Sequence, residues 1–235
     1  MHLANRFLLA VFAFTMCSCA ASTPAQGDAT AAEPSEEAPD TSASLCPDGA
    51  SCFESAEAAR KAGNSEGALE LYQAGCDLDD ARACSGLGVE LSSTDPAGSE
   101  RAYRKSCTLK HALGCANLAA LLYGRDEIDD AKSLFEQACE LGDTVSCTNS
   151  GVFAQQAKQW ERATRFFYRS CGAGDGPACV SWKTSAEELC RAPDPSACIK
   201  TARSYQSENN QTDAGFLLKV ACEAGHAPSC AEAKK

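Results

Sequence analysis

Six times along this chain two cysteines stand eight positions apart: CDLDDARAC (76–84), CTLKHALGC (107–115), CELGDTVSC (139–147), CGAGDGPAC (171–179), CRAPDPSAC (190–198) and CEAGHAPSC (222–230). A straight helix advances about 1.5 Å per residue, which would hold such cysteines about 12 Å apart. A disulfide needs Cα atoms within about 7 Å. If the two are bridged, the seven residues between them must reverse the chain, and they are turn formers: Gly142-Asp143, Gly174-Asp175-Gly176-Pro177, Pro193-Asp194-Pro195, Gly225-His226-Ala227-Pro228. Each bridged pair would clamp a corner between two helices.

The flanks of these corners have helical period. Four residues before the first cysteine stand Tyr72, Tyr103, Phe135, Phe167 and Leu218. Five before stand Leu71, Ala102, Leu134, Phe166 and Leu217, and eight before stand Ala68, Ser99, Ala131, Ala163 and Ala214. Offsets of 0, 4, 5 and 8 fall on one helical face, with a small residue where a neighbouring helix can come close. After the second cysteine a second face follows, with Leu87 and Leu118 beside small Gly88, Ala119 and Gly151. No segment alternates with period 2. Asp194-Pro195 offers an N-cap followed by proline at the first helical position, and Asp80, Asp143 and Asp175 occupy equivalent places. His111 and His226 take the same slot and read as turn residues, since each corner has one histidine and no second one nearby.

Sixteen cysteines in 235 residues make the compartment the next question. The N-terminus carries Arg6 and then the apolar run FLLAVFAFTM (7–16). That run has the length of a signal-peptide core and is too short for a spanning helix, which needs about twenty apolar residues. Export is the expectation. The following Met16-Cys17-Ser18-Cys19 resembles the bacterial lipoprotein lipobox, which implies cleavage after residue 18 and a lipid on Cys19, the alternative being ordinary cleavage near Ala20. Ala20 after the cysteine implies, by the same resemblance, passage to the outer membrane; the periplasm or simple secretion are the alternatives. Fourteen cysteines then remain, all in close pairs. Residues 19–45 are rich in Ala, Ser, Thr, Pro and acids, with no Lys, Arg or aromatic residue, and read as an extended acidic tether.

From Cys76 through Cys107 and Cys139 to Cys171 the first cysteines lie 31, 32 and 32 residues apart. A fixed period in the thirties with two helices per unit is the signature of an α-solenoid. The segments FEQACELGDTVSCTNSG and YRKSCTLKHALGCANLAALLYG resemble the Sel-one-like repeats, relatives of the tetratricopeptide repeats, and in particular their secreted cysteine-rich branch. The likeness covers about residues 52–235. It implies an all-α fold, an αα-hairpin superhelix over 46–235, with one local disulfide at each corner: Cys76–Cys84, Cys107–Cys115, Cys139–Cys147, Cys171–Cys179, Cys190–Cys198 and Cys222–Cys230. Cys46–Cys52, with five residues between, is expected as a shortened staple at the capping end. Cys171 and Cys222 are 51 residues apart because CRAPDPSAC follows after a single helix, so an irregular half-repeat is expected near 179–198.

Other uses of the cysteines fit less well. Structural zinc draws on pairs two to four residues apart, and the C-x-x-C of redox catalysts is absent, so neither a metal nor another cofactor is expected. Some cysteine-rich proteins of this kind have been discussed as penicillin-binding or β-lactamase-like, but no lysine follows a serine by three and the nearest K-T-G approximation is Lys183-Thr184-Ser185. A net charge of −11 with no basic cluster excludes nucleic acid as an expected partner. The expected function is a non-enzymatic scaffold binding a protein or peptide, touching the membrane only through its lipid. Asn117 and Asn149, two residues past their second cysteines, are candidate groove residues, with helix-start polarity or an internal hydrogen bond as the alternative. The other functions considered are the β-lactamase-like enzyme and a purely structural envelope spacer.

Overall fold

A three-residue turn, repeated along the chain, sets the architecture. In the computed structural model, which describes residues 45–233, nine turns have the same form: a helix-ending residue, a residue of positive φ, and the N-cap of the next helix. The middle residues are Gly63, Asp79, Lys110, Asp126, Gly142, Lys158, Gly174, Asn209 and Gly225. At the first corner, the Asp79 amide donates to the Cys76 carbonyl (3.0 Å) and the Asp80 amide to the Gly75 carbonyl (2.9 Å). These two bonds satisfy carbonyls that a helix end would leave bare. The expected signal peptide (1–18), the lipidation site Cys19 and the tether up to residue 44 lie outside the described residues, as do 234–235.

These nine turns, together with the longer connections 92–95 and 191–195, separate twelve helices among the described residues, with no strand: α1 (Gly49–Lys61), α2 (Ser65–Asp77), α3 (Ala81–Leu91), α4 (Pro96–Thr108), α5 (Ala112–Gly124), α6 (Ile128–Glu140), α7 (Thr144–Gln156), α8 (Trp160–Gly172), α9 (Gly176–Cys190), α10 (Ser196–Ser207), α11 (Gln211–Glu223) and α12 (Ala227–Glu232). Each packs on the next, so the fold is an all-α row of antiparallel hairpins. Asp80, Asp143 and Asp175 cap as expected: Asp80 accepts from the Arg82 and Ala83 amides, Asp143 from Ser146, Asp175 from Ala178. His226 accepts from the Ser229 amide, but His111 makes no cap bond; its Nδ1 lies 3.2 Å from Ser106 Oγ instead. Pro195 is not the first helical residue. It occupies the cap position, and Asp194 accepts from both the amide and the hydroxyl of Ser196 (2.9 and 2.8 Å), so the cap acts from one residue further back.

The small residues eight before each first cysteine, Ala68, Ser99, Ala131, Ala163 and Ala214, are all fully buried. The large residues four before are buried too, and three of them lie over glycines: a Cβ on Gly86 would run into the Tyr72 ring, one on Gly88 into the Tyr103 ring, and one on Gly151 would lie 2.7 Å from the Phe167 ring. Side-chain size is exchanged between neighbouring helices, which lets backbones approach without leaving voids. Leu71 and Leu134, expected on the same face, are only half-buried.

Seven local disulfides are formed, six at the C-x7-C pairs that the repeat resemblance implies and one, Cys46–Cys52, at the expected shortened staple. The Cα atoms lie 4.4 Å apart at Cys76–Cys84 and 4.9 Å at Cys190–Cys198, within the normal range for a bridge. The corners also touch one another. Ser106 and Ser170, each just before a first cysteine, donate to the carbonyls of Ala81 (2.7 Å) and Thr144 (3.2 Å), the first helical residues past the preceding corner. Ala138 and Ala221 hold that place elsewhere and are fully buried.

The row changes at α9. This helix has 15 residues and lies between two disulfide corners, one at each end. Its leaving turn, 191–195, is five residues long and contains no residue of positive φ. Consequently α9 packs closely on α8 but only lightly on α10, and α8 and α10 meet along a short line. Trp182 of α9 fills the space between them, with ring centroids 5.8 Å from Tyr168, 6.3 Å from Tyr205 and 5.6 Å from Phe216.

Candidate binding groove

Where α8 and α10 diverge, an open groove of about 580 Å³ lies between them. Helix α8 (WERATRFFYRSCG) is sharply two-faced. Ala163, Phe166, Phe167 and Ser170 are buried, and Arg162, Arg165 and Arg169 recur at intervals of three and four on the groove side. Helix α10 faces them with Lys200, Thr201 and Ser204, and its C-cap adds Glu208.

The floor is aromatic. Tyr168 and Tyr205 stack with centroids 4.0 Å apart and an interplanar angle of 22°. Both hydroxyls are held from below: Trp182 Nε1 donates to Tyr205 Oη (3.3 Å) and Asn210 Nδ2 to Tyr168 Oη (2.6 Å). Burial pushes the Tyr205 phenol well above the usual tyrosine range, so it stays neutral.

The walls are cationic in an otherwise acidic chain. Four positive side chains face two carboxylates, Glu161 and Glu208, whereas the whole chain carries −11. Two of the cations are occupied: Arg162 bonds to Glu136 and to Gln159 Oε1 (2.8 Å), and Lys200 lies 3.6 Å from Glu161. Among the described residues, no carboxylate comes within 4.0 Å of Arg165 or Arg169.

The sequence candidates Asn117 and Asn149 lie elsewhere, at equivalent positions on α5 and α7, both half-buried. Neither makes a side-chain hydrogen bond to another described residue. Asn149 borders a smaller hollow of about 170 Å³ with Tyr123, Phe135 and Phe153. The two are not brought together with the cationic groove. The sequence did hold a signal for that groove: three arginines at i, i+3 and i+7 in a chain of net negative charge. Among the described residues, no group of three His, Cys, Asp or Glu side chains converges as for a metal, and no helix is long and apolar enough to cross a membrane.

No protein-family model matches the chain, and no curated protein does. Among solved structures it is similar to a Sel1 repeat protein from Oxalobacter formigenes, with 16% identity over 79% of this chain and 76% of that one and a TM-score of 0.49. It is also similar to YrrB, described as a TPR protein with an unusual peptide-binding site (17% identity, 80% and 93% coverage, TM-score 0.41). A third likeness is to the pilF protein of Pseudomonas aeruginosa (18% identity, 77% and 79% coverage, TM-score 0.42).

Proposed function

We propose that this chain is an exported, lipid-anchored scaffold of the cell envelope that binds a protein or peptide and performs no catalysis. The observation that carries the reading is an open groove, walled by unpaired arginines and floored by stacked tyrosines, set in an array whose corners are covalently fixed. A surface held rigid before contact loses little conformational freedom on binding, which favours recognition. Seven disulfides suit an oxidising compartment, and the N-terminal apolar run with Cys19 supplies the route and the anchor. Asn117 and Asn149 are proposed as secondary polar contacts on α5 and α7.

Cross-linking in the native envelope followed by mass spectrometry tests this. Reproducible recovery of a protein partner is expected. Recovery of none, with the chain present at normal abundance, would leave a structural spacer instead. Two further checks address the finer points. Cys19→Ser is expected to abolish labelling by a palmitate analogue, and the purified protein is expected not to turn over nitrocefin.

A further inference from the structure

Resting on the scaffold reading, we propose that the α8–α10 groove takes an extended peptide segment carrying two carboxylates two residues apart. One carboxylate pairs with Arg165 and the other with Arg169, and the peptide lies over the Tyr168–Tyr205 stack.

Charge selects the class of ligand. Arg162 and Lys200 already have acidic neighbours, so the free positive charge in the groove belongs to Arg165 and Arg169. A guanidinium presents a planar fork that matches a carboxylate with two parallel hydrogen bonds. A long polyanion such as nucleic acid is disfavoured, because beyond the groove it would run along a chain of net charge −11.

Spacing selects the pattern. Arg165 and Arg169 are four residues apart on a helix, about 6 Å along its axis. In an extended chain, side chains two residues apart point the same way and lie about 6.6 Å apart, whereas adjacent ones point to opposite sides. Carboxylates at i and i+2 therefore reach both arginines at once, and neighbouring ones do not.

Length suits an extended segment. From Arg162 to Arg169 the groove runs seven residues, about 10.5 Å of helix, which about three residues of extended chain span.

The probe is a fluorescent, end-blocked heptapeptide, Gly-Ala-Glu-Ala-Glu-Ala-Gly, compared with its twin carrying glutamine for both glutamates. Binding to the oxidised full chain is read by anisotropy. The glutamate peptide is expected to bind about tenfold or more tightly than its twin, and to weaken as salt rises. The double variant R165E/R169E should abolish the preference. R165K/R169K should keep part of it, since charge remains and the fork is lost. Arg203→Glu, elsewhere on α10, should leave it unchanged. Both arginine sites are exposed, and circular dichroism confirms that each variant is folded before its binding is read.

Equal binding of the two peptides, no binding of either, or a preference for phosphatidylglycerol vesicles or single-stranded DNA would overturn the proposal. If cross-linking in the envelope captures the same partner with wild type and with R165E/R169E, the scaffold stands and this site falls. If neither chain captures a partner, the scaffold reading falls with it.

Discussion

Tyr168 and Tyr205 lie in stacked contact 4.0 Å apart, although one belongs to the last helix before the irregular unit and the other to the first helix after it. Their rings join two helices that otherwise meet along a short line, and the stack doubles as the groove floor. Stability and the proposed recognition therefore share these two side chains. Tyr205, which is buried, is expected to cost about 3–5 kcal/mol when changed to Ala. Tyr168, half-buried, should cost less. A double-mutant cycle by urea denaturation should give a coupling of about 0.5–1.5 kcal/mol, as for other aromatic pairs. Additive single effects would mean that the stack does not join the two helices.

Glycines on the helices divide into two kinds. At Gly151 a Cβ would lie 2.7 Å from the Phe167 ring, whereas at Gly215 nothing lies within 4 Å. Gly215→Ala is expected to stabilise the protein by about 0.5–1 kcal/mol through helix propensity alone. Gly151→Ala should destabilise it by about 1–3 kcal/mol despite the same propensity gain, because the core has no room to give. Thermal unfolding of the two variants should move Tm in opposite directions.

Two of the repeated turns use lysine at positive φ, Lys110 (63°) and Lys158 (55°), where the other three-residue turns use Gly, Asp or Asn. Lysine has no local hydrogen bond to offset the strained backbone. Lys158→Gly should therefore raise stability, by about 0.5–1 kcal/mol, while Gly142→Lys at the equivalent place should lower it. Denaturant midpoints with unchanged slope would report both.

His111 caps α5 without bonding its amides, and it is half-buried. Burial holds its pKa below the ordinary 6.5, with the Asp80 carboxylate opposing that shift and Arg82 adding to it. The unfolded chain thus takes up a proton at higher pH than the folded one. Its contribution to stability is whole above pH 6.5 and is lost as pH falls through the lowered folded value. A positive charge at a helix N-terminus is unfavourable in the same sense. His111→Asn, a good cap with no titration, should flatten the stability profile below pH 6.5, by at most about 1.4 kcal/mol per pH unit for a single proton. Identical profiles would remove the histidine from the account.

The corners were legible in the sequence because they are local. Helix ends, turn residues and cysteine spacing all lie within about a dozen positions, and the buried small residues Ala68, Ser99, Ala131, Ala163 and Ala214 obey one helical period. What escaped was the placement of side chains from different units. Ser106 and Ser170, each just before a first cysteine, donate to the backbone of the preceding corner at Ala81 and Thr144, and only the stacked array brings those residues together. The groove escaped for the same reason. Arg165 and Lys200 are 35 positions apart in sequence, and they face each other only because α9 packs closely on α8 and lightly on α10. Asn117 and Asn149 were placed by analogy of position, and position within a repeat does not reveal where the repeat pattern breaks.

The covalent corners are the claim on which all of this stands. Each bridge closes a short loop and constrains the unfolded chain by about 2.5 kcal/mol, enough that their loss would change the molecule. The direct measurement is digestion of the native protein without reduction, with thiols blocked, followed by mass spectrometry of the linked peptides. Seven local pairs are predicted, among them Cys190–Cys198 across the five-residue turn, with no free thiol among the fourteen cysteines from Cys46 to Cys230. Free thiols, bound zinc, or links between cysteines of different corners would contradict it.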